Sequence, residues 1–394
     1  MRRIASLLAV TAFAGCVDSQ QPTLVAYDGR MAQLWQSPGY VIDTLPSLAG
    51  GTSRGSSIND HGRVAGFSTT STGMRRAALW KEDGVHNLGT LGVSESLRST
   101  VQWQGQNNTG MVVGISQTDT AEAHGESWSC APFLGVSGKI CHGFVWENGI
   151  MRQLPTLGGP NGYATAVNDR GEVVGWAETM VRDSTCNSPQ VFRFRAVLWN
   201  AKTGTKRELR PFQRDATSAA TAINGRGQVV GISGDCDIAV GNYSARHAVM
   251  WDNGRVVEIP HLGGEIWHTP TSINDHGHVV GFSNPEGVVG RTLLPRAFLW
   301  KGGKKSRDLG LLQGDDNAQA LSINNRGQVV GVSCAGDNCR AFIWEKGVLR
   351  DLKQVVAPDF PGVFGSARSI NDRGQITGHV VINGGLRAYV ATPR

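Results

Sequence analysis

Three kinds of residue in this chain have types and spacings that could do chemistry. The first is acids beside imidazole and indole. Asp119, Glu122, His124, Glu126 and Trp128 fall in one run, and Trp176, Glu178, Arg182 and Asp183 in another. Asp235 and Asp237 flank Cys236, and Trp267 and His268 are adjacent. Paired carboxylates, or a histidine with a carboxylate, are the groups that cleave polysaccharide by acid–base catalysis. Glu122, His124 and Glu178 are the best raw material for that. Aromatic rings beside acids also suit the simpler tasks of stacking on a sugar or gripping a peptide.

The second kind is cysteine. Apart from Cys16 there are six: Cys130, Cys141, Cys186, Cys236, Cys334 and Cys339. An even number outside the reducing cytosol suggests disulfides. Pairs close in sequence, Cys130–Cys141 and Cys334–Cys339, are expected within loops. That leaves Cys186–Cys236 as a link between equivalent loops of neighbouring units. A metal is not expected at Cys334-x4-Cys339, which has no nearby histidine and no second close cysteine pair. No cofactor is expected either.

The third kind is a repeated asparagine: Asn59, Asn107, Asn168, Asn224, Asn274, Asn324 and Asn371. Asn-Asp-x-Gly suggests a calcium loop, but the next position drifts through Asp60, Asn108, Asp169, Gly225, Asp275, Asn325 and Asp372. Calcium needs several hard, mostly acidic oxygens. A turn in which the Asn side chain bonds the backbone tolerates the drift.

These groups hang on an internal repeat. Each unit reads small-x-x-Ile-Asn-x-x-Gly-x-Val-Val-Gly-x-Ser, a variable loop, Arg-Ala-x-Leu-Trp-x-x-Gly, then a leucine-led strand and a Gly-Gly link. The tryptophans are Trp35, Trp80, Trp146, Trp199, Trp251, Trp300 and Trp344, and Tyr389 fills the slot at the C-terminal end. Short valine-, isoleucine- and aromatic-rich runs separated by turns predict four strands per unit. Ala341-Phe342-Ile343-Trp344 is apolar on both faces, so its sheet needs a neighbour against each face. Blades around an axis supply that. The chain opens with the back half of a unit, AQLWQSPGYVIDTLPSLAGG, and closes with the front half, ARSINDRGQITGHV. The expected fold is therefore an all-β, seven-bladed β-propeller of four-stranded antiparallel blades over residues 31–394, closed by pairing its two ends. One third-type strand is spare, that of Trp35 or that of Tyr389, and the pattern does not choose between them. Nor does it say which strand lines the axis.

Alternate connections in such a sheet emerge on one side. The short Asn-x-x-Gly and Trp-x-x-Gly turns share a smooth face. The Gly-Gly links and the variable loops, including 117–142 and 334–340, make a ragged face that carries the acids, aromatics and cysteines above.

Residues 1–16 read MRRIASLLAVTAFAGC, with two arginines, an apolar run and small residues, the order of a secretory signal. Ala14-Gly15-Cys16 resembles a lipobox, which would lipidate Cys16. Ala12-Phe13-Ala14 fits ordinary cleavage, and the lone cysteine favours the lipobox. On this reading 1–15 is a signal peptide and 16–30 a polar tether. No apolar stretch is long enough for a transmembrane span. Net charge is +6, and the densest basic cluster, Lys301, Lys304, Lys305 and Arg307, reads as a solvated turn and not a nucleic-acid face.

The unit resembles the HAF family of probable extracellular repeats. Gly227-Gln228-Val229-Val230-Gly231 and Asn87-Leu88-Gly89-Thr90-Leu91-Gly92 nearly copy its motifs, and His247-Ala248-Val249, Arg296-Ala297-Phe298 and Arg340-Ala341-Phe342 approximate its His-Ala-Phe. The resemblance spans about residues 31–391. It implies a bacterial surface, outer-membrane or secreted protein and brings no catalytic residues. The expected role is a monomeric binding module for a glycan or protein ligand on the long-loop face. The alternative is a polysaccharide-acting propeller hydrolase or lyase, which turnover of a cell-wall or plant polysaccharide would reveal.

Overall fold

The structure, a computed structural model, describes residues 39–126, 130–186, 188–236, 245–290, 292–356 and 360–394. The signal segment, Cys16, the tether, Trp35, Trp128 and Asp237 lie outside them.

The repeated asparagine sets the geometry of each unit. Asn274 Oδ1 accepts the N–H groups of His276 and His278 at 3.1 and 3.0 Å. This closes a tight turn, and Gly277 completes it at φ +76°, a conformation that suits glycine. Two strands leave the turn antiparallel, and two more follow. The result is seven four-stranded antiparallel sheets. Blades 1 to 6 span 53–87, 99–153, 162–209, 217–259, 269–308 and 317–351. Blade 7 joins three strands from 363–393 to one from 40–44. The chain is a seven-bladed β-propeller.

The first strand of each unit lines the axis. Gly162–Val167, Thr217–Ile223 and Thr269–Ile273 are buried along their whole length. From blade 3 round to blade 1, first strands of successive blades touch one another, which their small residues permit. Fourth strands such as Arg307–Asp308 are exposed. Six of the seven first strands carry a register break directly after the residue facing the repeated mid-strand glycine, as at Ala220 opposite Gly231. A Cβ on Gly231 would run into the Ala219 carbonyl. The glycine therefore admits the bulge, and the strand continues past it instead of ending there.

Two devices lock blade to blade. Each repeated Asn donates its Nδ2–H to the backbone carbonyl of the Asn in the next blade. The seven bonds, at 2.8–3.1 Å, run from Asn59 round to Asn371 and back to Asn59. The indole N–H of Trp80, Trp199 and Trp251 also bonds a carbonyl in the preceding link, that of Pro46, Pro155 and Arg210.

Closure uses one N-terminal strand. Tyr40–Thr44 pairs antiparallel with Gly385–Pro393, from Tyr40 opposite Pro393 to Thr44 opposite Tyr389. The Tyr389 strand is thus the third strand of blade 7. The three disulfides are Cys130–Cys141, Cys186–Cys236 and Cys334–Cys339. Strands extend into the regions expected as loops, so Cys141, Cys334 and Cys339 lie on strands and Cys334 faces Cys339 across a hairpin. Among the described residues no helix is long and apolar enough to cross a membrane.

Candidate functional site

The acids and aromatics singled out by sequence, apart from Trp128 and Asp237, which lie outside the described residues, are spread around the ragged rim over blades 2 to 5. Most of them hold the loops. Glu122 accepts the N–H groups of His124 and Glu126 at 2.8 and 2.7 Å. His124 stands edge-on to Phe192, whose ring also carries the Arg182 guanidinium. Asp119 caps the link at Val93 and Ser94. Asp183 accepts from Thr185 and from Arg193 Nε. Burial pushes its carboxyl up, but those bonds and the Arg193 charge outweigh it and hold it below the usual range. Asp235 pairs with Arg246 at 2.8 Å.

Five residues expected at the surface are buried, Asp183 among them. Trp176 is fully enclosed, because its strand runs on to Arg182 and places it mid-strand, facing Tyr163 and Phe194. His268 precedes an inner strand and bonds Ser283 and the Gly264 carbonyl through its two ring nitrogens. Burial, helped by His261, lowers its pKa to about 3. Glu178 is 0% exposed and Glu126 2%. Glu126 Oε1 accepts the N–H groups of Val191 and Phe192, and Glu178 Oε2 accepts that of Asn161. Burial and the facing Glu126 push Glu178 well up, and burial raises Glu126 as well. Glu126 Oε2 has no hydrogen-bond partner, and the raised pKa of both carboxyls favours a proton held between them. This clasp joins the long loop of blade 2 to blade 3 and is closed to substrate. Trp267 is half-buried at φ +72° beside Phe282.

A different place on the ragged face has the form of a site. A cavity of about 420 Å³ lies between blades 6 and 7 at the mouth of the axis. Its volume falls in the ~300–1,000 Å³ range of small-ligand sites. Leu321, Val332, Val363 and Val381 give it apolar walls, and Arg368, His379 and Ser366 give it a polar end. The Cys334–Cys339 hairpin forms its rim, where Arg340 is neutralised by Asp315 at 2.8 Å and Asp351 at 3.2 Å. Gln104 reaches across the axis from blade 2. Its Nε2 donates to the carbonyls of Leu321 and Arg368, and its Oε1 accepts from Ser369 at 2.8 Å. A smaller cavity of about 220 Å³ sits by the outer turns of blades 3 and 4, around Arg207 and Trp251.

The polar end is basic and unneutralised. Among the described residues neither Arg368 nor Arg54, which faces the axis from blade 1, makes an ion pair. Burial lowers the pKa of both, and each guanidinium adds to the pressure on Arg54 or His379 nearby. Arg54 donates to Gln102 and lies over Phe67. Its Nε, the Nε of Arg368 and the Tyr163 hydroxyl have no partner. Ser366 Oγ meets His379 Nδ1 at 2.7 Å, the spacing of a nucleophile and its base. Burial, with the charges of Arg54 and Arg368, holds that imidazole at about 3. It stays neutral at pH 7 and is a poor base, so the pair serves as a polar wall.

No family model matches the chain, and no curated protein matches it. Solved structures do. Virginiamycin B lyase from Staphylococcus aureus superimposes with a TM-score of 0.50 at 10% identity, covering 90% of this chain and 99% of that one. Oligogalacturonate lyase in complex with manganese gives 0.49 at 12% identity, covering 91% and 99%. Acylaminoacyl peptidase from Pyrococcus horikoshii gives 0.48 at 10%, and this chain, covered over 87%, spans 53% of its length. Likeness at this level is one of fold. Among the described residues no three His, Cys, Asp or Glu side chains are grouped to hold a metal ion.

The arginines were missed by sequence reasoning although a signal existed. First strands carry small or neutral residues, such as ATAV and AATAI, and Arg54 and Arg368 interrupt that pattern in SRGSSI and SARSI.

Proposed function

We propose that this chain is an exported binding module whose ligand enters the cavity between blades 6 and 7 on the long-loop face. One observation carries the reading: a preformed, mostly apolar cavity ends in a few convergent polar groups, the form of a ligand site. The Cys334–Cys339 hairpin at the rim supports it, since a stiff rim loses less entropy on binding. Of the two ligand classes expected, protein fits the apolar walls better than glycan. Catalysis is disfavoured by the weak basicity of His379, lowered to about 3 by burial, and by the enclosure of the Glu126–Glu178 pair. Export is supported by three disulfides, which persist in oxidising compartments. The signal-like leader and the resemblance to HAF-family repeats point the same way, and Cys16 would tether the ring to a membrane if lipidated.

The test is a screen of labelled peptides and glycans against the intact mature chain and against Asn338→Trp, which fills the rim from an exposed position. A ligand of this cavity binds the wild type saturably and the variant at least tenfold more weakly. Equal binding to both would place the site elsewhere.

A further inference from the structure

The cavity's charge is left open in a way that specifies its occupant. Arg368 lines its inner end and Arg54 stands across the axis, and no acid of the described residues pairs with either; the cavity's own acids, Asp315 and Asp337, belong to the rim, where Asp315 is paired with Arg340. Unpaired buried charge is costly. Two such arginines with idle Nε donors, beside an idle tyrosine hydroxyl, are complementary to a ligand that brings its own negative charge. A guanidinium matches a carboxylate or a phosphate in geometry. The walls decide what carries the charge. Leu321, Val332, Val363 and Val381 would leave sugar hydroxyls without partners, and inorganic phosphate has no body to fill the space. A single carboxylate on an apolar residue meets both ends of the cavity.

We propose that the cavity captures the free C-terminus of a peptide or protein chain. Its α-carboxylate lies against Arg368, with Arg54 reinforcing the positive potential, and its last, apolar side chain lies along the valine and leucine wall. C-terminal carboxylate capture is a recurring mode of peptide recognition. This rests on the cavity being the binding site. Gln104, bonded beneath to the Leu321 and Arg368 carbonyls, stops the chain end from passing down the axis.

The experiment is fluorescence anisotropy on the full mature chain. The probes are N-terminally fluorescein-labelled Gly-Gly-Gly-Gly-Leu, -Val and -Phe, each as the free acid and as the C-terminal amide, which replaces one charged acceptor oxygen by a neutral NH2 donor. At least one free acid should bind ten times more tightly than its amide or better. Arg368→Gln should erase that preference and Arg54→Gln should reduce it. Equal affinity of acids and amides, with Asn338→Trp still blocking both, would overturn the carboxylate claim while leaving the cavity as the site. Acid binding untouched by Asn338→Trp would instead refute the cavity. Absence of saturable binding by all three acids, or tighter binding of trigalacturonate than of any of them, would overturn the peptide assignment. The acid–amide comparison on the wild type stands even if an arginine variant fails to fold.

Discussion

The two ends of the propeller axis treat polar groups in opposite ways. At the smooth end every repeated asparagine is satisfied by the protein itself. Its Oδ1 closes its own turn and its Nδ2 holds the next blade, seven times round. At the ragged end Arg54, Arg368 and Tyr163 present donors that nothing in the described chain accepts. Buried polar groups are normally paired, and an unpaired one calls for an explanation. The repeated asparagines complete one another, with the Gln106 amide beside Asn107 the one unpartnered group at that end among the described residues, whereas at the ragged end the Nε groups of Arg54 and Arg368 and the Tyr163 hydroxyl lack partners among the described residues.

Breaking the self-completing end should cost most. Removing residues 1–45 strips the strand that pairs with Gly385–Pro393 and leaves that strand as an open edge. The expected outcome, read by calorimetry and size exclusion, is loss of the cooperative transition and self-association. A truncated chain that melted like the full one would show that closure contributes little. Next, Asn274→Ala deletes three hydrogen bonds, to His276, His278 and Asn324. At about 1 kcal/mol each, chemical denaturation should show a loss of about 3 kcal/mol.

The Glu126–Glu178 clasp sharpens the contrast, because it is a polar pair on the ragged side held by backbone N–H groups of the chain itself. The folded-state pKa of Glu178 is raised, so the folded chain holds its proton more tightly than the unfolded one. Its contribution is fully present below the ordinary value of 4.5 and is lost as pH rises through the raised value. The buried histidines act in the opposite sense. His268 and His379, lowered to about 3, and His142, lowered to about 4 by burial, contribute above 6.5 and lose it as pH falls. Comparing the wild type with Glu178→Gln isolates the glutamate. The wild type's advantage should shrink as pH rises above 4.5, by up to about 1.4 kcal/mol per unit. Parallel stability curves would show that no proton is shared.

Much of this fold was legible in the sequence because its determinants recur. The Asn-x-x-Gly turn and the strand tryptophans each appear seven times, and the half-units at the ends announce a closed ring. The disulfide pairs followed from which loops are neighbours. The axis-lining strand was not legible, since burial on both faces is shared by several strands of the unit. The choice of third strand for blade 7 was not legible either, because Trp35 and Tyr389 both fit the slot; pairing with Tyr40–Thr44 shows that the Tyr389 strand fills it. The site was least legible. Acids in long loops look functional, yet Glu122, Asp183 and Glu178 spend their oxygens on loop backbones and partner side chains. Arg54 and Arg368 look like drift in a repeat, and only the closed ring brings them to one axis. Trp176 was counted with the ragged-face residues, yet the strand runs on past Gly175 to Arg182 and buries it.

The most direct test sets the two ends against each other by measuring the unfolding free energies of Asn324→Ala and Arg368→Met side by side, in ligand-free, low-salt buffer. Methionine keeps the apolar stem of the arginine and discards the unpaired charge. The account predicts opposite signs: a loss of about 3 kcal/mol at Asn324 and a gain of about 1 kcal/mol at Arg368. Losses of similar size at both positions would contradict it, because Arg368 would then be as much a part of the fold as the asparagine ring.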